Sequence, residues 1–67
     1  MNSLSIREAC LELGHVEPIN IESSGQVWLG NDPANPQFLT QQQQSAVIAK
    51  TQQIVQAYLD SNPAPVN

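Results

Sequence analysis

Apolar spacing is clearest between residues 40 and 60. Val47, Ile48, Ile54, Val55, Tyr58 and Leu59 recur at intervals of three, four and seven, which gathers them into one stripe of a helix, with Gln44 and Thr51 as its polar members. The other face carries Gln41, Gln42, Gln52, Gln53 and Gln56 with a single Lys50, so it is polar and nearly uncharged. Thr40 suits the N-cap, because its hydroxyl can accept from the free N–H groups of the first turn, and Gln43 stands where a capping-box partner reaches back. Asn62 and Pro63 end the helix, and residues 62–67 read as a disordered tail beyond a single domain of residues 1–61.

A shorter helix is expected over residues 5–13. Ser5 and Glu8 have capping-box spacing, Leu4 precedes them as a hydrophobic staple, and Ile6, Ala9, Cys10 and Leu13 share one face. Gly14 stops it, since glycine adopts the left-handed conformation without steric cost. Arg7, Glu8 and Glu12 fall on the outer side, as a solvated face.

Between the helices the period changes to two. Ile19-Asn20-Ile21-Glu22 and Gln26-Val27-Trp28-Leu29 alternate around Ser23-Ser24-Gly25, a three-residue hairpin loop with glycine at the left-handed bulge position. Setting Glu22 opposite Gln26 pairs Ile21 with Val27, Asn20 with Trp28 and Ile19 with Leu29. One face of this hairpin, residues 19–29, is then wholly aliphatic and forms the floor for the long helix, while Trp28 stands beside Asn20 on the other. Residues 30–37, rich in turn formers with Pro33 and Pro36, read as a linker excluded from both ladder and helix. Phe38 or Leu39 is expected to plug the junction with the helix at 40–60. The fold class is α+β: a short helix, a β-hairpin and a long C-terminal amphipathic helix packed on the hairpin.

Charge and composition narrow the function. Six acidic residues against two basic ones give a net charge of −4, and Arg7 and Lys50 form no cluster, which argues against direct nucleic-acid binding. The carboxylates are too sparse for a nucleic-acid mimic. Cys10 and His15 are the sole residues of their types, so neither a disulfide nor a Cys/His zinc site can form within one chain. No apolar run approaches the ~20 residues that span a bilayer, and the N-terminus lacks the pattern of a signal peptide, so a soluble chain not secreted by a signal peptide is expected. A domain of 67 residues buries only ~60% of its unfolded surface, and a protein partner or self-association would add to its stability.

Among single residues, Trp28 is the leading candidate for partner binding, since tryptophan anchors many interfaces and this one projects away from the main core. The competing reading has Pro33, Pro36 or Phe38 fold back over it. Asn20 beside Trp28, and Gln52 and Gln56 on the glutamine face, complete the candidate contact set; an uncharged polar face suits a helix that ends against another chain, or is a solvated face built of good helix formers. A Cys10–His15 catalytic pair would need a water-excluding cleft that so thin a domain has little room for, and Cys10 is better read as a small buried hydrophobe. Glu8 with Glu12 makes too poor a ligand set for a cation. No catalytic residue, metal ligand or cofactor is expected.

A strand ending in Val27-Trp28-Leu29, an Asn31-Asp32-Pro33 turn, a proline-bearing link and Thr40-Gln41-Gln42-Gln43 opening the last helix together resemble small proteins of phage and prophage tail modules. The resemblance spans roughly residues 16 to 59 and departs at Leu39-Thr40 and the following glutamines, where those proteins tend to have Pro-Thr and then acidic residues. It implies a virion or assembly component that works by contact. The expected function is therefore a non-enzymatic interaction or structural role, with a small acidic inhibitor or adaptor as the alternative.

Overall fold

Residues 3–61 are described by the computed structural model. In chain order they form α1 (Ser3–Glu12), β1 (Ile19–Ile21), β2 (Val27–Leu29), β3 (Gln37–Phe38) and α2 (Gln41–Ser61). The tail expected at 62–67 lies outside the described residues.

The hairpin has the register that its loop dictates: Ile19 opposite Leu29, Asn20 opposite Trp28, Ile21 opposite Val27. Glu22 N–H donates to Gln26 O at 2.9 Å and Gly25 N–H to Glu22 O at 2.8 Å, which closes the three-residue loop. Gly25 has φ +92°, the left-handed bulge position where a side chain would strain the backbone.

The linker yields one correction. Gln37 and Phe38 form a third strand, with Phe38 opposite Trp28 and Gln37 opposite Leu29, so the antiparallel sheet has the order β1-β2-β3. Pro33 and Pro36 bar their own nitrogens from the ladder but leave the two residues after Pro36 free to pair. Asp32 folds the turn that returns the chain: its carboxylate accepts from Ala34 N–H at 3.0 Å and from the Asn35 amide at 3.1 Å.

α2 begins with the expected capping box, Gln43 N–H donating to Thr40 Oγ1 at 3.1 Å and Thr40 N–H to Gln43 Oε1 at 2.9 Å. α1 starts at least two residues earlier than expected, which puts Ser5 inside the helix and not at its cap. Its end follows the expectation: Gly14 has φ +92°, Gly14 N–H donates to Leu11 O and His15 N–H to Cys10 O, the paired bonds of a Schellman motif.

Ile6, Ala9, Cys10, Val27 and Val47 make the buried core, with Ile19, Ile21, Leu29, Leu39 and Ile54 packed around it. The aliphatic hairpin face therefore meets both helices, and Leu39 is the junction residue. Glu12 reaches Lys50 at 3.7 Å, and Leu4, Ser5 and Glu8 share a groove with Ile54, Val55 and Tyr58, so α1 runs antiparallel to α2.

Candidate functional site

The stripe of α2 divides into two. Val47 and Thr51 are fully buried and Gln44, Ile54 and Val55 are half-buried, whereas Ile48, Tyr58 and Leu59 are exposed by 41, 65 and 50%. At ~100° per residue, Val47, Thr51, Ile54 and Tyr58 share the inward direction, while Ile48, Val55 and Leu59 lie roughly 70–115° further round. The expectation that all six apolar residues enter the core is corrected: the platform is too narrow to cover them. Thr51 instead sits at the centre, its hydroxyl donating back to Val47 O at 2.7 Å, so its one polar group is satisfied without a partner from elsewhere.

Beside the exposed strip, Gln44 fastens α2 to the hairpin. Its Oε1 accepts from Val27 N–H at 3.0 Å and its Nε2 donates to Gly25 O at 3.1 Å. The reason lies in β3: Val27 O accepts from Leu39 N–H, but the chain then turns into α2 and no backbone carbonyl continues the ladder to Val27 N–H. Gln44 supplies that acceptor. Next to it a groove of about 470 Å³ opens between α2, the hairpin loop and α1, with Ile6, Leu39, Val47 and Ile48 on its apolar walls and Gln41 and Ser45 at its rim.

Of the four sequence-predicted contact residues, the fold puts two on each of two surfaces. Trp28 and Asn20 stand on the outer face of the sheet, opposite the face that receives α2. Trp28 is half-buried, flanked in register by Asn20 and by Phe38, which is itself exposed, so the end of the linker shares its face. Asn20 braces the strand, its amide nitrogen donating to Gly30 O at 2.8 Å and more weakly to Trp28 O at 3.3 Å. Gln52 and Gln56 are exposed on α2, and Gln56 donates to Asp60 at 3.0 Å. These two border the strip of Ile48, Val55 and Leu59, and the exposed Tyr58 and Leu4 lie beside Val55 on its inner edge, in the groove with α1. Assigning every apolar position of α2 to one face hides the strip; the 4-3-4 spacing of Ile48, Gln52, Val55 and Leu59 is the signal in the sequence that reveals it.

Arg7 pairs with Glu17 and Lys50 with Glu12, so the net charge of −4 rests on Glu8, Glu22, Asp32 and Asp60. The Asn35 amide and the Ala34 N–H hold the Asp32 carboxyl below its ordinary pKa. Burial pushes the Cys10 thiol upward, which keeps it protonated and unreactive at neutral pH. Its backbone, not its side chain, is what joins it to His15. Among the described residues, no three His, Cys, Asp or Glu side chains converge as a metal site, and no helix is long and apolar enough to cross a membrane. No family model, curated protein or solved structure matches this chain.

Proposed function

We propose that this chain is a non-enzymatic interaction protein, a structural or assembly component that acts by contact through the outer strip of α2. The observation that carries this is the balance of apolar residues. Among the described residues the buried large hydrophobes are few, Ile6, Val27 and Val47, while Ile48, Tyr58, Leu59 and Leu4 leave much of their surface in water on adjoining parts of the molecule. Single exposed apolar residues are ordinary, but a run of them along one helix, edged by uncharged glutamines, has the composition of an interface. The resemblance to phage and prophage tail-module proteins supports the assembly form of this reading. The alternative, an acidic inhibitor or adaptor, draws support from the pairing of both basic residues, which leaves any cationic partner facing carboxylates alone.

The reading is tested by placing the photo-crosslinking residue p-benzoylphenylalanine at Gln52, exposed within the strip, and, as a control, at exposed Ala46 on the far side of α2. Irradiation of expressing cells should give a discrete adduct from position 52 and none from 46. Equal labelling from both positions, or none from 52, refutes a contact role for the strip. An adduct of twice the chain's mass identifies a second copy; any other mass identifies a different partner.

A further inference from the structure

We propose that the exposed turn at residues 32–35 is a self-cleaving site, at which the Asp32 side chain cuts the backbone bond between its own residue and Pro33. The reactants are the chain's own carboxylate and amide, with water and a proton from solvent. The event occurs once per chain and is no enzymatic turnover, and nothing from the strip on α2 takes part.

The step begins when a carboxylate oxygen of Asp32 bonds to the carbonyl carbon of the same residue and closes a five-membered ring. The bond from that carbon to Pro33 N breaks as the nitrogen takes a proton from solvent. Proline suits the leaving role because its amide nitrogen carries two alkyl groups and no hydrogen, and it departs as a basic secondary amine. The ring left behind is a cyclic anhydride. Water adds to its carbonyl carbon and the ring C–O bond breaks, which restores the side-chain carboxyl and leaves a new α-carboxyl on Asp32. In sum, one peptide bond and one water become one acid and one amine.

The turn supplies what this step needs. Ala34 N–H, two residues on, donates to Asp32 Oδ1 at 3.0 Å, which draws the carboxylate forward to the side of its own carbonyl carbon, and the Asn35 amide donates to Oδ2 at 3.1 Å. Holding a nucleophile in one orientation beside its target is the main gain open to an intramolecular reaction. Each oxygen accepts one of these bonds and retains a lone pair for attack. Asn35 N–H donates to the Asp32 carbonyl oxygen at 3.0 Å, so a donor already faces the oxygen on which negative charge builds. Asp32, Pro33, Ala34 and Asn35 are all exposed, which admits water. The Asn35 amide, and after it the Ala34 N–H, hold the carboxyl below its ordinary pKa of 3.8, and no ion pair among the described residues involves it. The attacking form therefore persists at acidities that speed protonation of the leaving nitrogen. The cut falls between β2 and β3, so α2 becomes part of a separate chain, held to the hairpin by packing and by the Gln44 hydrogen bonds.

The test follows the intact mass of the purified full chain from about pH 4 to pH 6, with folding checked by circular dichroism and a parallel sample unfolded in guanidinium chloride. Fragments of residues 1–32 and 33–67 should form about tenfold faster from the folded chain than from the unfolded chain at the same pH. The rate should rise as pH falls, because the leaving nitrogen must be protonated. Asp32→Asn, which can still accept from Ala34 N–H, should yield neither fragment. Asn35→Ala removes one of the bonds that position the carboxylate, and it should slow the folded chain about threefold while leaving the unfolded rate unchanged. Equal rates from folded and unfolded chains would show only the ordinary lability of an Asp–Pro bond and overturn the proposal. A slower folded chain, or undiminished cleavage of Asp32→Asn, overturns it as well.

Discussion

Replacing Gln44 by alanine removes two hydrogen bonds at once, and both join α2 to the hairpin backbone. A neutral hydrogen bond contributes about 1 kcal/mol net, and a buried donor left without an acceptor costs about 1–3 kcal/mol. Val27 is fully buried, so its N–H falls in the second class, but the open groove beside Gln44 lets water replace part of what is lost. The expected destabilisation is about 2 kcal/mol. That is a large share of the roughly 3–10 kcal/mol that a chain of this size has in total. At about 4–8 °C per kcal/mol, the midpoint of thermal unfolding should fall by about 8–16 °C. Gln44→Met separates hydrogen bonding from packing, because it retains the length and the apolar contact of the side chain while removing both bonds. Urea unfolding followed by Trp28 fluorescence and by helix circular dichroism measures both variants. Gln44→Met should be at least as destabilised as Gln44→Ala, since its thioether also keeps water from Val27 N–H. A Gln44→Met protein within about 0.5 kcal/mol of wild type would show that the clasp contributes shape and not hydrogen bonds, and the reasoning would fail.

Other expectations follow from single sites. Gly25→Ala should cost about 1–2 kcal/mol by urea unfolding, all of it from the left-handed backbone, because a Cβ there meets nothing within 4 Å. Thr51→Val should change stability by less than about 1 kcal/mol, since Val47 O retains its place in the helix ladder and the new methyl enters apolar surroundings, whereas Val47→Ala in the same core should lose about 2 kcal/mol. The Cys10 thiol has its pKa raised by burial above an ordinary 9.0, so the unfolded chain loses this proton first as pH rises. Its contribution to stability is therefore complete below the ordinary value of 9.0 and declines as pH climbs through the folded value. Cys10→Ala should abolish that component of alkaline destabilisation, and iodoacetamide should modify native Cys10 only at the rate of opening, tracking stability across the Gln44 and Gly25 variants.

Where local chemistry alone decides the geometry, the sequence is a sufficient guide. The hairpin register is determined by the loop length and Gly25, the start of α2 by Thr40 and Gln43, and the end of α1 by Gly14. Each is a choice made within a few residues. What the sequence withholds depends on distance in space. β3 pairs because the turn at Asp32 brings Gln37 and Phe38 back to β2, and a run of turn formers does not reveal where the chain next comes alongside a strand. The burial of Thr51 ahead of Ile48 has the same character. Helical spacing shows which residues share a face, but the width of the platform beneath decides how much of that face is covered, and a hairpin with three-residue strands beside one ten-residue helix covers only part of it.

That shortage of platform connects the stability of the domain to its proposed role. α2 has 21 residues and α1 has 10, so most of α1's length is spent along less than half of α2. The hairpin reaches the N-terminal part through Gln44 and Val47, and α1 lies along the stretch from Lys50 to Tyr58. Both supports approach the inward side, and among the described residues no further element covers Ile48, Val55 and Leu59 fully. A longer hairpin would have covered Ile48, and a second helix the rest. A shorter or wholly polar outer side would have removed the apolar surface at little cost, since those positions do not hold the core together. The chain instead pairs an uncovered aliphatic strip with neutral glutamines where lysine or glutamate would serve solubility better. Changing Gln52 and Gln56 to lysine should therefore leave the unfolding midpoint of the monomer within a few degrees while abolishing contact at the strip. Loss of both together would mean that the glutamines support the fold and that the strip is not an interface.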